Sequence, residues 1–393
     1  MDIGIVTETY PPEINGVART LRQMVDGLRT RGHRISLVRP RQTRHDSATR
    51  DGETLREILV PGIALPRYRD LRFGLPWPGA LRRAWKGNPP DVVYVATEGP
   101  LGHSALCAAE RLGVPAVSGY HTNFPRYSRH YGLGLLEDPI WRLLRRFHNR
   151  GRLTLAPTEH LARELRRKGI GNVRVFPRGV DTELFHPGRR RTELRSRWGL
   201  AEDGLAVLYV GRLAAEKNLG LAVETFRGIQ ADHPGARFIL VGDGPQQARM
   251  QRDYPELVFT GPKTGASLAE HYASGDLFLF PSTTETFGNV VLEAMASGLS
   301  VVAYDYAAAG LHLRHGDSGM LAVFDDEADF VRCAVSVADN RLLAERLRRR
   351  ARATAEGLGW PRLIAELEDL LCQASDPPQG REASDARLAA TNE

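Results

Sequence analysis

At 393 residues the chain exceeds what one hydrophobic core supports, and two domains are expected. Apolar residues make up 42% and charged residues 25%, as in an ordinary globular protein, and no apolar run approaches the roughly 20 residues that span a bilayer. The net charge of +6 divides unevenly: residues 1–190 carry 32 Lys and Arg against 18 Asp and Glu, a net of +14, and the remainder has a net of −8.

Strands and helices alternate from the start. Met1-Asp2-Ile3-Gly4-Ile5-Val6 reads as a strand rather than a targeting peptide, so a cytosolic protein is expected. The turn-rich Tyr10-Pro11-Pro12-Glu13-Ile14-Asn15-Gly16 leads into a helix from about Val17, where Leu21, Val25 and Leu28 recur at helical spacing. Arg34–Arg39, Val92–Val95, Ala116–Ser118 and Leu153–Ala156 read as buried strands, with helices around Ser104–Leu112, Pro139–Arg150 and His160–Lys168. Around Val180–Leu200 the pattern breaks into Pro187, Gly188 and a run of arginines, which suggests a linker. A second series follows, with strands near 205–210, 236–241, 256–260, 276–280 and 300–303 and helices between them. This rhythm predicts two α/β Rossmann-like doubly wound domains, residues 1–185 and 186–358, facing across a cleft. A helix over 359–373 could return to the first domain, and 374–393 has the composition of a disordered tail. Cys107, Cys333 and Cys372 lie too far apart for a disulfide framework or a zinc site.

The most specific stretch runs from Pro281 to Gly298. An apolar strand, Leu277–Phe280, enters a loop that carries Glu285, and a helix starts near Gly288 and carries Glu293. The helix start, with Phe287, Gly288, Asn289 and Val290, offers unpaired N–H groups and a positive dipole end, suited to a phosphate. Glu285 can accept hydrogen bonds from sugar hydroxyls and Glu293 from ribose; as mere structure, the first would cap the helix and the second face solvent. Leu292 and Met295 fix one face as core and leave Glu293 off it. The second stretch, Gly211-Arg212-Leu213-Ala214-Ala215-Glu216-Lys217-Asn218, follows the strand Ala206–Val210. Arg212 and Lys217 there can hold a diphosphate and neutralise it as it leaves, although alone the segment reads as easily as a solvated basic loop. No Asp-x-Asp occurs in the chain, so neither a metal nor another cofactor is expected.

Together these residues resemble the retaining glycosyltransferase family 4, of the two-domain GT-B fold, over nearly the whole chain before the tail. Val241-Gly242-Asp243-Gly244-Pro245, Asn15-Gly16-Val17 and Tyr120-His121-Thr122-Asn123-Phe124 also look like that family. The resemblance implies that Gly16 backs the donor phosphates and that His121 lies beside the reacting sugar. It gives the diphosphate to Arg212 and Lys217, the sugar to Glu285 and the ribose to Glu293, with Gly242 at the donor and Tyr10, Arg19 and Thr122 at the acceptor. One departure is that relatives commonly carry a glutamate in the turn where this chain reads Ala309-Gly310-Leu311-His312-Leu313, so no role is carried over there. A retaining transfer by front-face displacement is implied, from a nucleotide-sugar donor to a lipid-linked or saccharide acceptor. Tyr10-Pro11-Pro12 and the His121 segment look most like bacterial mannosyltransferases using GDP-mannose. They look nearly as much like lipid-directed glucosyl- or sulfoquinovosyltransferases using UDP-sugars.

A nucleotide-sugar epimerase would share the fold and need no acceptor. A dinucleotide-binding dehydrogenase is disfavoured, because Thr7 to Gly16 holds no GxGxxG and Gly242-Asp243-Gly244 lacks the third glycine. The basic first half suggests an anionic partner, though arginine-rich composition alone would give the same count; no nucleic-acid motif accompanies it. An anionic membrane surface, on the inner face of the plasma membrane, fits two stretches. Arg67-Tyr68-Arg69-Asp70-Leu71-Arg72-Phe73-Gly74-Leu75-Pro76-Trp77 reads as an exposed loop, and Trp141-Arg142-Leu143-Leu144-Arg145-Arg146-Phe147 as a helix with a polar basic face.

Overall fold

The computed structural model describes residues 1–13, 15–42, 46–65, 68–122, 137–201 and 203–376. Asn123, Phe124, Arg67 and the tail from Pro377 lie outside these described residues.

The first sheet has eight strands. Their order is Val173–Val175, Leu153–Ala156, Ala116–Gly119, Val92–Val95, Asp2–Val6, Arg34–Pro40, Leu55–Val60 and Arg50–Asp51. All pairs are parallel except the last. The second sheet has six parallel strands in the order Val258–Gly261, Arg237–Val241, Ala206–Val210, Leu277–Phe280, Ser300–Tyr304 and Met320–Ala322. Val92–Val95 and Ala206–Val210 are buried at every position, as strands covered by helices on both faces must be. In each sheet the winding reverses beside the first strand, between Asp2–Val6 and Val92–Val95 and between Ala206–Val210 and Leu277–Phe280. Loops leaving the carboxyl ends of those strands border the crevice where such sheets take ligands.

The helix Gly16–Thr30 forms because Asn15 caps it, its side chain accepting from Ala18 N at 2.8 Å, and because Leu21, Met24, Val25 and Leu28 make one buried stripe. Against it lies the last helix, Trp360–Ser375, whose Leu363, Ile364, Leu367 and Leu371 share the first domain's core. A Cβ at Gly27 would overlap the Ile364 side chain, so glycine permits this close crossing. The two chain crossings between the domains run side by side, with Val180 N donating to Leu358 O at 3.0 Å.

Three elements differ from expectation. Residues expected as an exposed loop after Arg67 form a strand, Tyr68–Gly74, paired antiparallel with Gly62–Leu65. The helix Pro78–Lys86 was not anticipated: only Leu81 and Trp85 mark its buried side, too few for a periodic signal. In the helix Glu137–His148, Trp141, Leu144 and Phe147 are buried and Lys168 lies over the Trp141 ring at 5.1 Å, so its apolar face is core rather than a membrane contact.

Candidate functional site

The second domain brings its two switch-point loops together. Gly242 has φ +142 and Gly244 φ +152, and a Cβ on either would run into the carbonyl oxygen of Gly211 or Leu213. That close approach is locked by Leu213 N donating to Asp243 O at 2.6 Å and Gln246 N to Leu213 O at 2.9 Å. Gly242, expected at the donor, also acts as a spacer that lets one loop seat the other. Arg212 projects from the seated loop, its carbonyl accepting from Tyr209 OH at 3.1 Å, and its guanidinium pairs with Glu216. The Glu216 carbonyl accepts from Thr284 Oγ1 at 3.1 Å and so ties this loop to the next. There Lys217 Nζ forms an ion pair with Glu285, each side chain only 12% exposed, and Ser282 Oγ donates to the same carboxylate oxygen at 2.6 Å. Tyr306 OH donates to the Glu285 carbonyl at 2.8 Å, and a small cavity beside Glu285 is lined by Ser282, Phe287, Val291, Tyr306 and Ala307.

The helix Asn289–Ala296 begins at Gly288, whose φ of +94 turns the chain sharply, and no side chain caps it. Phe287 is buried and Val290 half-buried. Asn289 reaches across the cleft, its Nδ2 donating to Gly16 O at 3.3 Å and to Thr20 Oγ1 at 3.2 Å. One turn on, Glu293 is buried, contrary to the expectation that it stands off the core face. Arg19 Nη1 lies 2.9 Å from its Oε1, and Tyr272 OH donates to its Oε2 at 2.9 Å. Burial pushes the Glu293 carboxyl above its ordinary range, with Arg19 and Tyr272 opposing.

In the first domain Tyr10 packs into the core with Leu21 and Leu37 and presents no open face, so an acceptor contact does not follow from its placement. Thr122 is half-buried at the end of the described segment. His121 is buried, with Arg178 Nη2 donating to its Nδ1 at 2.6 Å and Tyr94 Oη 2.7 Å from its Nε2. A guanidinium only donates, so Nδ1 accepts and Nε2 carries the proton. Burial and the Arg178 charge hold His121 well below its ordinary pKa, so the ring is neutral with both nitrogens engaged. A catalytic proton-transfer role for the His121 side chain does not fit this geometry.

Residues 14–184 match Glycosyltransferase Family 4, and residues 204–340 match Glycosyl transferases group 1. The chain is 36% identical over 368 residues to a GDP-mannose-dependent alpha-mannosyltransferase of Mycobacterium tuberculosis (strain CDC 1551 / Oshkosh), covering 93% of this chain and 94% of that one. It is 30% identical over 358 residues to a sulfoquinovosyl transferase of Arabidopsis thaliana, covering 88% and 68%. Among solved structures, a sucrose-phosphate synthase from Thermosynechococcus elongatus superposes with a TM-score of 0.80 at 18% identity, over 95% of this chain and 98% of that one. The chain belongs to glycosyltransferase family 4. It has the GT-B fold, and it is a hexosyltransferase that uses a nucleotide-sugar donor.

In this glycosyltransferase Arg212, Lys217, Glu285 and the helix start at Gly288 lie on one rim of the cleft, and Gly16 and Arg19 meet that rim through Asn289 and Glu293. Gly242 follows the neighbouring strand Arg237–Val241, and His121 follows the strand Ala116–Gly119 of the first domain. Sequence reasoning missed Glu216, Tyr306 and Arg178. Glu216 was legible, since it stands four residues after Arg212, the spacing at which opposite charges pair. Arg178 carried no local signal, because its partner His121 is 57 residues away.

Proposed function

We propose that this glycosyltransferase moves mannose from GDP-mannose onto a lipid-linked or saccharide acceptor, with retention and without a metal. The observation that carries the reading is the convergence of Arg212, Lys217 and Glu285 where the second sheet's winding reverses. Arg212 pairs with Glu216 and Lys217 with Glu285. A diphosphate arriving between them takes over both cations and frees Glu285 for sugar hydroxyls. As the bond from the anomeric carbon to the diphosphate oxygen breaks, negative charge grows on that oxygen, and the two cations stabilise it. The acceptor hydroxyl attacks from the same face and passes its proton to the leaving diphosphate, so the products are the glycoside and the protonated nucleoside diphosphate. The mannosyl donor is supported by the 36% identical relative; a UDP-sugar is the second reading, supported by the sulfoquinovosyl transferase.

Among the described residues no helix is long and apolar enough to cross a membrane. The reading places the protein in the cytoplasm, docked on an anionic leaflet. Ile63 (60% exposed), Leu75 and Trp77 supply the apolar tip, with Arg82, Arg83 and Lys86 on the helix that follows. A thermal-shift series with GDP, UDP and ADP tests the donor: GDP should give the largest concentration-dependent rise, unchanged by EDTA. A larger response to UDP would move the assignment to the second reading, and dependence of activity on added Mg²⁺ would overturn the metal-free mechanism.

A further inference from the structure

Among the described residues three arginines are built into the interior, Arg39, Arg178 and Arg195, and two of them are neutralised. Arg39 is held by Asp46 at 2.6 Å and Glu57 at 3.1 Å, and Arg195 by Asp276 at 2.9 Å. Arg178 is 6% exposed and has no carboxylate partner among the described residues. Its one hydrogen bond among the described residues is the 2.6 Å contact from Nη2 to the neutral His121. Its remaining N–H groups have no protein partner among the described residues. Desolvation without a counter-charge pulls the guanidinium down to about 10. A buried cation left unpaired is costly, and the fold maintains this one at a defined place. Phe176 N extends the pairing of the first sheet by bonding Ala156 O at 2.8 Å, so Arg178 stands beyond the carboxyl end of Val173–Val175. It lies two residues before Val180, where the chain crosses to the second domain.

We infer that Arg178, oriented by His121 and through it by Tyr94, is the binding point for a phosphate oxyanion brought to the first domain's side of the cleft. The inference rests on the transferase reading in one respect only: the diphosphate of the donor belongs to Arg212 and Lys217 on the other sheet, so the second anion arrives with the acceptor or as a free ion. An arginine fork suits two oxygens of one phosphate, and such a ligand supplies the missing counter-charge.

The test uses the full chain with Arg178→Met and Arg178→Lys. Without ligand, Arg178→Met should melt no lower than the parent, because the change removes a desolvated charge; a guanidinium serving only as structure would give a lower melting temperature and overturn the inference. Inorganic phosphate, titrated at constant ionic strength, should raise the melting temperature of an Arg212→Ala/Lys217→Ala variant, in which the diphosphate loop is silenced. Adding Arg178→Met should abolish that rise, and an equal rise in its presence would overturn the inference. Arg178→Lys should restore part of it. Vesicles containing phosphatidylinositol or diacylglycerol then separate the two sources. If the anion is a headgroup, Arg178→Met raises the acceptor KM roughly tenfold or more for the phosphate-bearing lipid alone, with the donor KM unchanged. If it is the free ion, both lipids respond alike. Failure of the transferase reading would appear separately, as no response of the unmodified protein to GDP or UDP, and would leave the phosphate titration intact.

Discussion

Lys217 and Glu285 illustrate how single side chains do two jobs in this cleft. Their ion pair closes one loop on the other, and the same two groups are those a donor's diphosphate and sugar would claim. Replacing either with Ala should lower kcat by on the order of 10²–10³ while the far-ultraviolet spectrum stays unchanged. Purified, folded Lys217→Ala or Glu285→Ala with near-normal kcat/KM would remove that residue from the mechanism. Glu8 offers a second residue-scale test, on stability. Its carboxyl is buried at the end of the first strand, accepts from Leu101 N at 2.9 Å, and is pushed up to about 8 by burial, with Glu98 adding to the shift. A carboxyl whose folded pKa is raised stabilises the fold fully below its unfolded value near 4.5, and that contribution is lost as pH rises through about 8. Glu8→Gln, neutral throughout, should therefore match the parent near pH 4.5 and exceed it increasingly up to pH 8. The gain should be on the order of a few kcal/mol by urea unfolding. Parallel stability curves for the two proteins across that window would refute the assignment.

Elements follow from the sequence where periodicity is strong and fail where it is not. The parallel strands around Val92 and Ala206 were legible because they are buried on both faces and read as continuous apolar runs. The hairpin strand Tyr68–Gly74 was not, because the prolines near it suggested a loop and its pairing with Gly62–Leu65 is tertiary information. Glu293 was placed on the right helix but on the wrong face, since nothing local reveals that Arg19, far away in sequence, lies against it. The glycine turn at Val241–Pro245 was recognised, and the structure shows a physical use that spacing does not reveal, the seating of one strand-end loop on another. This yields a sharp expectation. Gly242→Ala places a methyl against the Gly211 carbonyl in a backbone conformation unfavourable to alanine, and should cost about 2–4 kcal/mol in urea unfolding. Because the displaced loop carries Arg212, activity per folded molecule should fall as well. A Gly242→Ala protein with parent stability would show that the two loops are not mutually seated.

Among the described residues the two domains meet across the cleft through Asn289, the Arg19–Glu293 pair and the His160–Tyr306 ring contact, and the chain joins them by two adjacent crossings near Val180 and Gly359. The arrangement suits rotation about the paired crossings, with the Arg19–Glu293 ion pair as a latch on the opposite rim. Both Glu293 oxygens are occupied, one by Arg19 and the other by Tyr272, so a ribose that binds there has to displace Arg19 first. The apparent affinity for nucleotide is then the intrinsic affinity reduced by the fraction of molecules with the latch released. Arg19 is partly exposed while Glu293 is not, which puts the pair between a surface bridge and a buried one, worth about 1–2 kcal/mol. Arg19→Met removes the competitor and should tighten GDP or UDP binding roughly 5–30-fold by calorimetry. The same change takes away the charge that opposes the upward shift of Glu293, so the gain should be largest at alkaline pH, where Glu293 is ionised in either protein, and shrink as pH falls. Weaker nucleotide binding by Arg19→Met would show that Arg19 contacts the nucleotide itself, and the latch would have to be abandoned.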